Sequence, residues 1–262
     1  MKSYQRLEGR LQAQGRMLME QHISELDTLR FGFRVAKINT FDDLPFEIIR
    51  KFKENGVKLV ISRVLTSDIK LINQMEEAGF RLKDVQVTYN LNLAEKSLPL
   101  NTDDIYQYRG FEPNDITSIA RIAFESFRNY GHYSNIEKIE LAKTKEIYED
   151  WAKRCCVNKS VSDHIIVAEI NREIAGFLSF KILTEGQAQY AVGVLGAVDK
   201  NHRNGGVFQN INLAGLYWAY QEGMKRVEHN VLITNFPVNK TYMSLGFQII
   251  RSEATFHCWL EN

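Results

Sequence analysis

Cysteine and proline are scarce in this sequence, with three cysteines and four prolines in 262 residues. Two of the cysteines, Cys155 and Cys156, are adjacent, and such neighbours rarely pair with each other. Because no disulfide framework is legible, we expect a reducing, cytoplasmic compartment. No Cys or His pair has the spacing of metal ligands, so we expect no metal.

Long apolar runs and an excess of one charge are also missing. No stretch of roughly 18 apolar residues occurs, and the N-terminal segment MKSYQRLEGRLQAQGRMLME is too polar for a signal peptide. The 33 Lys and Arg residues balance 32 Asp and Glu, which leaves a formal net charge of +1. Nucleic-acid binders normally carry an excess of positive charge. We therefore expect no membrane partner and no nucleic-acid partner.

The sequence does contain alternating helix and strand patterns, which predict an α/β (α+β) fold. Residues 1–26 have the pattern of an amphipathic helix. Beyond them, Leu29, Phe31, Phe33 and Val35 alternate with polar residues or glycine and predict a half-buried strand.

A candidate linker and a repeat suggest how the chain is divided. Residues 94–104 hold few apolar side chains, so we interpret them as a linker between an N-terminal domain, 1–98, and a C-terminal domain, 105–262. The shift that brings Gly79-Phe80 onto Gly246-Phe247 also brings Leu93 onto Leu260. Each half then ends as strand, helix, Gly-Phe and strand, which predicts two related units in tandem.

The segment NHRNGGVFQNI (201–211) lies between an apolar strand, 189–198, and an apolar helix. A glycine turn that opens a helix presents backbone N–H groups to an anion. Arg203 adds positive charge, and Lys200, His202 and Lys240 are candidates to meet further phosphates. The segment lacks the Gly-Lys-Ser/Thr ending of a P-loop and the glycine spacing of a dinucleotide fingerprint. A polar connector of the same composition remains an alternative.

Three features downstream strengthen the anion-site interpretation. Asn235 ends a predicted buried strand, VLITN (231–235), Tyr242 comes seven residues later on a short helix, and Gly246-Phe247 closes that helix. A tyrosine between the ends of two parallel strands has an O–H in reach of a leaving group. With a reference pKa of about 10, a phenol is a suitable general acid towards a departing thiolate.

Together, Val198, Arg203-x-x-Gly206-x-Phe208, Asn235, Tyr242 and Gly246-Phe247 resemble the GNAT superfamily of N-acetyltransferases, over 105–262. The resemblance implies a mixed central sheet, acetyl-CoA as co-substrate and Tyr242 as proton donor. It also implies an N-terminal half that is GNAT-like but degenerate, because Met75 and Asp68 replace the tyrosine and the asparagine. The CoA-binding residues that it implies are Leu195, Gly196, Ala197, Val198, Arg203, Asn204, Gly205, Gly206, Val207, Phe208, Gln209, Asn235 and Lys240.

Other segments resemble the dTDP-fucosamine acetyltransferases more specifically. They are ELDTLRFG (25–32), EAGFRLKDVQVTYNL (77–91), FESFRNYGHY (124–133), YEDWA (148–152) and SEATFHCWL (252–260). This resemblance implies a nucleotide-linked amino sugar as acceptor, such as a dTDP-4-amino-4,6-dideoxyhexose, and a possible homodimer.

Several alternatives remain open at the level of sequence. Strand 189–198 carries no Asp or Glu, so the general base is left among His132, His202, His257 and direct attack by a neutral amine. The acceptor could instead be another small amine, a protein or aminoacyl-tRNA. A non-catalytic CoA sensor is the alternative if the ring of Phe208 fills the turn.

Overall fold

The computed structural model describes residues 20–93, 105–127, 130–135, 138–139 and 141–260. Residues 1–19 of the predicted N-terminal helix and the predicted linker, 94–104, lie outside the described residues. Among the described residues, no helix is both long enough and apolar enough to cross a membrane.

Helices and strands alternate along the described part of the chain. The helices are α1 (Glu25–Phe31), α2 (Pro45–Glu54), α3 (Ile69–Glu77), α4 (Ile116–Ser126), α5 (Leu141–Val157), α6 (Val207–Gln221) and α7 (Phe236–Ser244). The strands are β1 (Val35–Ile38), β2 (Leu59–Leu65), β3 (Arg81–Asn92), β4 (Gln107–Gly110), β5 (His164–Ile170), β6 (Glu173–Glu185), β7 (Ala188–Val198), β8 (Arg226–Leu232) and β9 (Gln248–Trp259). The predicted α/β class is confirmed.

The predicted strand at residues 29–35 is wrong, because residues 25–31 form helix α1. The side chain of Ser24 accepts a hydrogen bond from the backbone N–H of Asp27, and Gly32 ends the helix in the left-handed conformation. Asp27 and Phe31, four residues apart, are buried, whereas Leu29 is 83% exposed. The buried spacing is therefore helical, and the strand β1 begins only at Val35.

The chain forms two compact units, the first made of residues up to Val85 together with residues from Ser252 onward. In this unit β1 is parallel to β2, and β2 is antiparallel to β9, from Leu59 opposite Trp259 to Leu65 opposite Glu253. Helices α2 and α3 cover one face of these strands. The core there includes Ile48, Phe52, Val60, Met75, Phe80 and Phe256.

The second unit spans Gln86–Arg251. Its strands follow the order β3-β8-β7-β6-β5-β4, and all neighbours are antiparallel except β7 and β8, which are parallel. Helix α6 packs on β5, β6 and β7, while α4 packs on β6 and β7. The core of this unit includes Tyr89, Leu178, Phe180, Ile211, Leu216 and Tyr242.

The units do not follow the boundaries predicted at 98 and 105. Residues 86–92 of β3 form a ladder with β8, so they belong to the second unit. Residues 253–259 of β9 form a ladder with β2, so the end of the chain belongs to the first unit. Strand pairing between distant segments decides both assignments, and the local sequence does not reveal it.

The predicted repeat has a detailed structural counterpart within each unit. Gly79 and Gly246 both have left-handed backbone, with φ of 91° and 85°. The residue after each glycine donates its N–H back across the helix end, Phe80 to Met75 O at 2.9 Å and Phe247 to Tyr242 O at 3.0 Å. The two copies therefore share one strand–helix–turn geometry.

The start of the repeated helix matches as well. Asp68 caps α3 by accepting from Leu71 N at 3.1 Å, and Asn235 caps α7 by accepting from Val238 N at 3.4 Å. The cap residues have nearly the same backbone, with φ and ψ of −86° and 68° for Asp68 and −83° and 69° for Asn235. Met75 and Tyr242 are both buried at equivalent positions.

Candidate functional site

The parallel strands β7 and β8 separate partway along their length. Their ladder runs from Ala191 opposite Val227 to Gly193 opposite His229, where it ends. From Val194 onward, the edge of β7 that faces β8 lies beside the resulting gap. Backbone N–H and C=O groups at such a gap are available to an extended ligand.

A bulge in β7 coincides with the end of this ladder. Phe180 lies opposite Gly193 and Ser179 lies opposite Leu195, which leaves Val194 as the extra residue. Ser179 holds the bulge, because its hydroxyl donates to Leu195 O at 2.9 Å and accepts from Leu195 N at 3.1 Å. The bulge therefore reorients the backbone of Val194 at the mouth of the gap.

The glycine turn follows β7 directly and opens α6. Gly206 takes the N-cap position in left-handed backbone, with φ of 77°, and no side chain caps the helix. The first N–H to bond within the helix is that of Asn210, which donates to Gly206 O at 3.0 Å. The preceding amides, those of residues 207–209, point out of the helix end, where an anion is stabilised.

Arg203 braces this turn. Its Nε donates to Val198 O at 3.2 Å, and its Nη2 donates to Ser126 Oγ at 3.1 Å. Asn204 adopts left-handed backbone with φ of 66°, which a non-glycine residue rarely does. The guanidinium thus stays beside the turn as a fixed positive charge.

The ring of Phe208 packs on the core side of α6 and leaves the turn clear. The side chain is half-buried against the cluster that contains Ile211. Its centroid lies 6.1 Å from that of Tyr242. The Phe208 ring therefore does not fill the turn.

Tyr242 lies on α7 in a cluster of aromatic side chains and is 4% exposed. Its ring stacks on His229, with centroids 4.6 Å apart and an interplanar angle of 13°. The ring centroids of Tyr89 and Phe247 lie 5.2 and 5.4 Å from that of Tyr242. Burial raises the pKa of the Tyr242 phenol well above its ordinary value, and the nearby phenols of Tyr130 and Tyr89 add to this.

His229 marks the point where β7 and β8 part, and sequence reasoning missed it. Burial lowers the pKa of its imidazole to about 3, so the ring is neutral. Gly193 opposite has no side chain, which leaves the space that the ring occupies. The alternation in RVEHNVL (226–232) would have revealed Val227, His229 and Val231 as one buried face, but the expected strand began too late, at residue 231.

The three histidines considered as bases lie in different settings. His132 contacts the ring of Tyr133 at 4.0 Å. His202 shares a hydrogen bond of 3.1 Å between its Nδ1 and the hydroxyl of Tyr106. His257 belongs to the first unit, where burial lowers its pKa to about 3.

The remaining predicted residues lie on β7, around the turn or on α7. Lys200 pairs with Glu125 at 3.4 Å, and Lys240 is exposed on α7. The side-chain oxygen of Asn235 is the cap acceptor already described. Leu195 and Ala197 are buried, and Gly196 packs against Leu178.

The three cysteines are buried or half-buried in the described structure. Cys155, Cys156 and Cys258 are free thiols. Burial raises the pKa of these thiols, to about 11 for Cys155 and about 12 for Cys156, so they are poor nucleophiles. No group of three or more potential metal ligands is found in the part of the chain that the structure describes.

Asp199 anchors the segment that leads into the turn. Its carboxylate accepts from Asn201 N at 2.9 Å and from Arg121 Nη1 at 2.7 Å. Burial alone would raise the pKa of Asp199, but these two hydrogen bonds hold it below its ordinary value. The folded state is therefore stabilised by the ionised carboxylate.

Asp199→Asn is expected to lower the free energy of unfolding by about 1–3 kcal/mol at neutral pH, because hydrogen bonds to a charged acceptor are lost. Since the folded pKa is depressed, this contribution is present above the unfolded value of about 4 and disappears as the pH falls through the folded value. Urea unfolding at both ends of that window measures it. A deficit of equal size in acid would contradict the assignment, and Asp43→Asn, in an exposed pair with Lys51, is the control.

Comparison with known proteins identifies the class to which this site belongs. Residues 118–247 match the model of the Acetyltransferase (GNAT) family. A tandem GNAT protein from the clavulanic acid biosynthesis pathway is 13% identical, with a TM-score of 0.62 over 83% of this chain and 69% of that one. A search of curated proteins gave no match.

Two further solved structures have a similar fold. A GCN5-related N-acetyltransferase from Kribbella flavida is 9% identical, with a TM-score of 0.57 over 86% of this chain and 81% of that one. A functionally unknown conserved protein from Staphylococcus epidermidis is 13% identical, with a TM-score of 0.56 over 87% and 84%. These likenesses define the class, a tandem GNAT-like α/β fold.

The segment 118–247 is therefore a domain of the GNAT family of N-acetyltransferases, enzymes that transfer an acyl group from an acyl-CoA to an amine. The tandem GNAT-like fold expected from the sequence is confirmed.

Proposed function

We propose that this enzyme acetylates the amino group of a nucleotide-linked amino sugar, such as a dTDP-4-amino-4,6-dideoxyhexose. The observation that supports the acetyl-transfer part is the gap between β7 and β8, which opens directly beside the uncapped turn of α6. The choice of acceptor rests on the sequence segments that resemble the dTDP-fucosamine acetyltransferases.

The residues around this gap fit acetyl-CoA. The amides of residues 204–209 and the guanidinium of Arg203 are proposed to bind the pyrophosphate, with Lys240 as a further charge. The backbone of Leu195, Gly196, Ala197 and Val198 is proposed to pair with the pantetheine arm, whose amides need such partners. Asn235, the N-cap residue of α7, is proposed to contact the CoA as well. Acetyl-CoA supplies the thioester.

Tyr242 is the proposed general acid. Its phenol lies beside the point where the strands part, and its raised pKa keeps it protonated throughout the neutral range. It is therefore available to donate its proton to the departing thiolate. The N–H of Val194, turned by the bulge, is the proposed donor to the oxyanion, in the manner of backbone oxyanion holes.

A thiol-release assay with acetyl-CoA and a panel of dTDP-, UDP- and GDP-linked amino sugars tests the proposal. We expect release with a dTDP-linked 4-amino sugar above the rate without acceptor. Release only with other amines or lysine peptides would contradict the nucleotide-sugar acceptor but would still support acetyl transfer. Thermal unfolding gives a separate readout, because saturating acetyl-CoA should stabilise the protein by RT ln(1 + [L]/Kd), about 2.7 kcal/mol at 100 times Kd.

Some features of this function remain predictions. We propose that residues 105–262 hold the CoA-binding and proton-transferring groups, and that residues 1–98 form a degenerate GNAT-like part without the CoA turn. A cytoplasmic location and a homodimer also remain predictions.

A further inference from the structure

Strand β8 presents a polar face opposite the aromatic cluster. Val227 and Val231 point into the core, and His229 stacks on Tyr242 on the same side. Because side chains alternate along a strand, Glu228 and Asn230 project from the other face. The β7–β8 ladder ends at the pair formed by Gly193 and His229. Glu228 is the residue before His229, and Asn230 is the residue after it. Two polar side chains thus flank the opening of the gap.

Glu228 is a buried carboxylate, 8% exposed, with fixed surroundings. Arg226 on the same strand donates from Nε to Glu228 Oε1 at 2.7 Å and pairs through Nη1 with Glu185, the last residue of β6, at 2.9 Å. The guanidinium also lies 3.7 Å from the centre of the Tyr190 ring on β7. Arg226, Glu185 and Tyr190 are the titratable groups that these elements bring to Glu228, and β3 brings the amide of Asn90.

Asn90 has a side-chain acceptor that no other described residue satisfies. It lies directly opposite Glu228 in the antiparallel β3–β8 ladder, so the two side chains share a face with Cβ atoms about 5 Å apart. Its Oδ1 is buried and has no hydrogen-bond partner in the part of the chain that the structure describes. An unsatisfied buried acceptor destabilises the folded protein. A positively charged hydrogen-bond donor would bond both to the Glu228 carboxylate and to the unsatisfied amide oxygen of Asn90.

Asn230 is held in one orientation at the same face. The hydroxyl of Thr88, 2% exposed, donates to Asn230 Oδ1 at 2.7 Å, while Asn230 itself is exposed. A structural ion pair between Glu228 and Arg226 would explain neither this exposed, oriented amide nor the unsatisfied oxygen of Asn90.

We propose that Glu228, Asn90 and Asn230 form the binding site for the acceptor's primary ammonium group, and that Glu228 takes its proton. This inference rests on the acetyltransferase function proposed above. The ammonium donates to Glu228 and to Asn90 Oδ1, while the amide of Asn230 contacts the adjoining polar part of the acceptor. The site lies across β8 from Tyr242, so acid and base act from opposite faces of one strand.

The proton balance of the step is complete with these groups. The ammonium gives one proton to Glu228, which passes it to water. The neutral nitrogen then forms the N–C bond with the thioester carbonyl and gives its second proton to Glu228, which again passes it to water. The C–S bond breaks, and the thiolate takes the proton of Tyr242, which water restores. Acceptor ammonium and acetyl-CoA become N-acetyl product, CoA thiol and one proton.

Glu228→Gln tests the proton transfer. With the best amino sugar of the panel, we expect kcat/KM to fall about 100-fold at neutral pH, a typical effect for loss of a general base. The loss should shrink to a few-fold as the pH rises through the pKa of the acceptor's ammonium, because the amine is then already neutral. With hydroxylamine, an amine that is largely unprotonated at neutral pH, the loss should be small throughout. Ethanolamine, which is protonated there, should show the full loss.

Asn90→Leu tests the ammonium contact separately. It removes an oxygen that is unsatisfied in the free protein, so stability should be unchanged or higher. If the oxygen meets the ammonium, the acceptor KM should rise about 10-fold, the value for one hydrogen bond of about 1.4 kcal/mol. The kcat and the stabilisation by acetyl-CoA should be retained.

The control is Glu185→Gln, which removes the other, exposed carboxylate of Arg226 and should leave the pH profile unchanged. Equal pH profiles for Glu228→Gln and wild type would overturn the proton-transfer role, and an unchanged KM in Asn90→Leu would overturn the ammonium site. Wild-type protein that releases no thiol with any amine would overturn the function itself, so the two failures are distinguishable.

Discussion

Tyr242→Phe is expected to lower kcat by roughly 10- to 1000-fold, within the range of general acid–base contributions. The change removes only the hydroxyl. The phenyl ring keeps its stacking on His229 and its contacts with Tyr89 and Phe247, so the fold and the stabilisation by acetyl-CoA should be preserved. Steady-state thiol release and thermal unfolding with acetyl-CoA measure the two effects independently.

The pH dependence gives this prediction a second test. Because burial raises the pKa of Tyr242, wild-type kcat should show no alkaline decline from this group up to about pH 10, the ordinary value for tyrosine. Tyr89→Phe is the matched control, since it removes a neighbouring phenol whose O–H donates to Asn239 Oδ1 at 3.0 Å. It should cost about 1 kcal/mol of stability and leave kcat unchanged. Wild-type kcat in Tyr242→Phe would remove the phenol from the mechanism.

The features that sequence reasoning predicted well are those that local chemistry determines. Gly79 and Gly246 end their helices with positive φ, which glycine adopts easily, so the Gly-Phe repeat indicated two copies of one turn geometry. The glycine turn before α6 was likewise legible from Gly205-Gly206 between an apolar strand and an apolar helix. Both lie within a few residues of chain and depend little on distant contacts.

The features that were missed depend on pairing between distant segments. The exchange of residues 86–92 and 253–259 between the units arises from ladders with β8 and β2, which no local pattern encodes. A sequence pattern also misleads when the same residue spacing fits both a helix and a strand. Phe31 and Val35, four residues apart, fit both a strand alternation and a helical stripe, and the cap at Ser24 decided for the helix over residues 25–31.

Glu228 and His229, at the point where β7 and β8 part, were hidden for a related reason. The search for a base considered β7, because its position beside the turn was legible from sequence. Glu228 and His229 lie on β8, whose first half, Arg226–Asn230, reads as polar and was not expected to be a strand. Only the parallel register of β7 and β8 brings these residues to the point where the strands part.

Gly193→Ala is the substitution expected to damage the fold and the site most. A Cβ at this position would meet the imidazole of His229, at 2.6 Å from Cε1 and closer still to Nδ1. The ring cannot easily move, because His229 is 2% exposed and packs on Phe180, Tyr242 and Phe247. We expect a loss of about 3 kcal/mol in unfolding free energy, the upper part of the usual range for overpacking. A displaced ring would also shift Tyr242, so kcat should fall too.

A double-mutant cycle separates this clash from any other effect of the added methyl group. In Gly193→Ala/His229→Ala the space is restored, so the alanine at 193 should cost much less than it does beside histidine, with a coupling energy of about 1–3 kcal/mol. Gly110→Ala is the control, because a Cβ there meets nothing within 4 Å. It should change stability by no more than about 0.5 kcal/mol. Urea unfolding of the variants gives these values. If Gly193→Ala were as stable as wild type, the imidazole would have moved without cost. The requirement for glycine where β7 and β8 part would then be wrong.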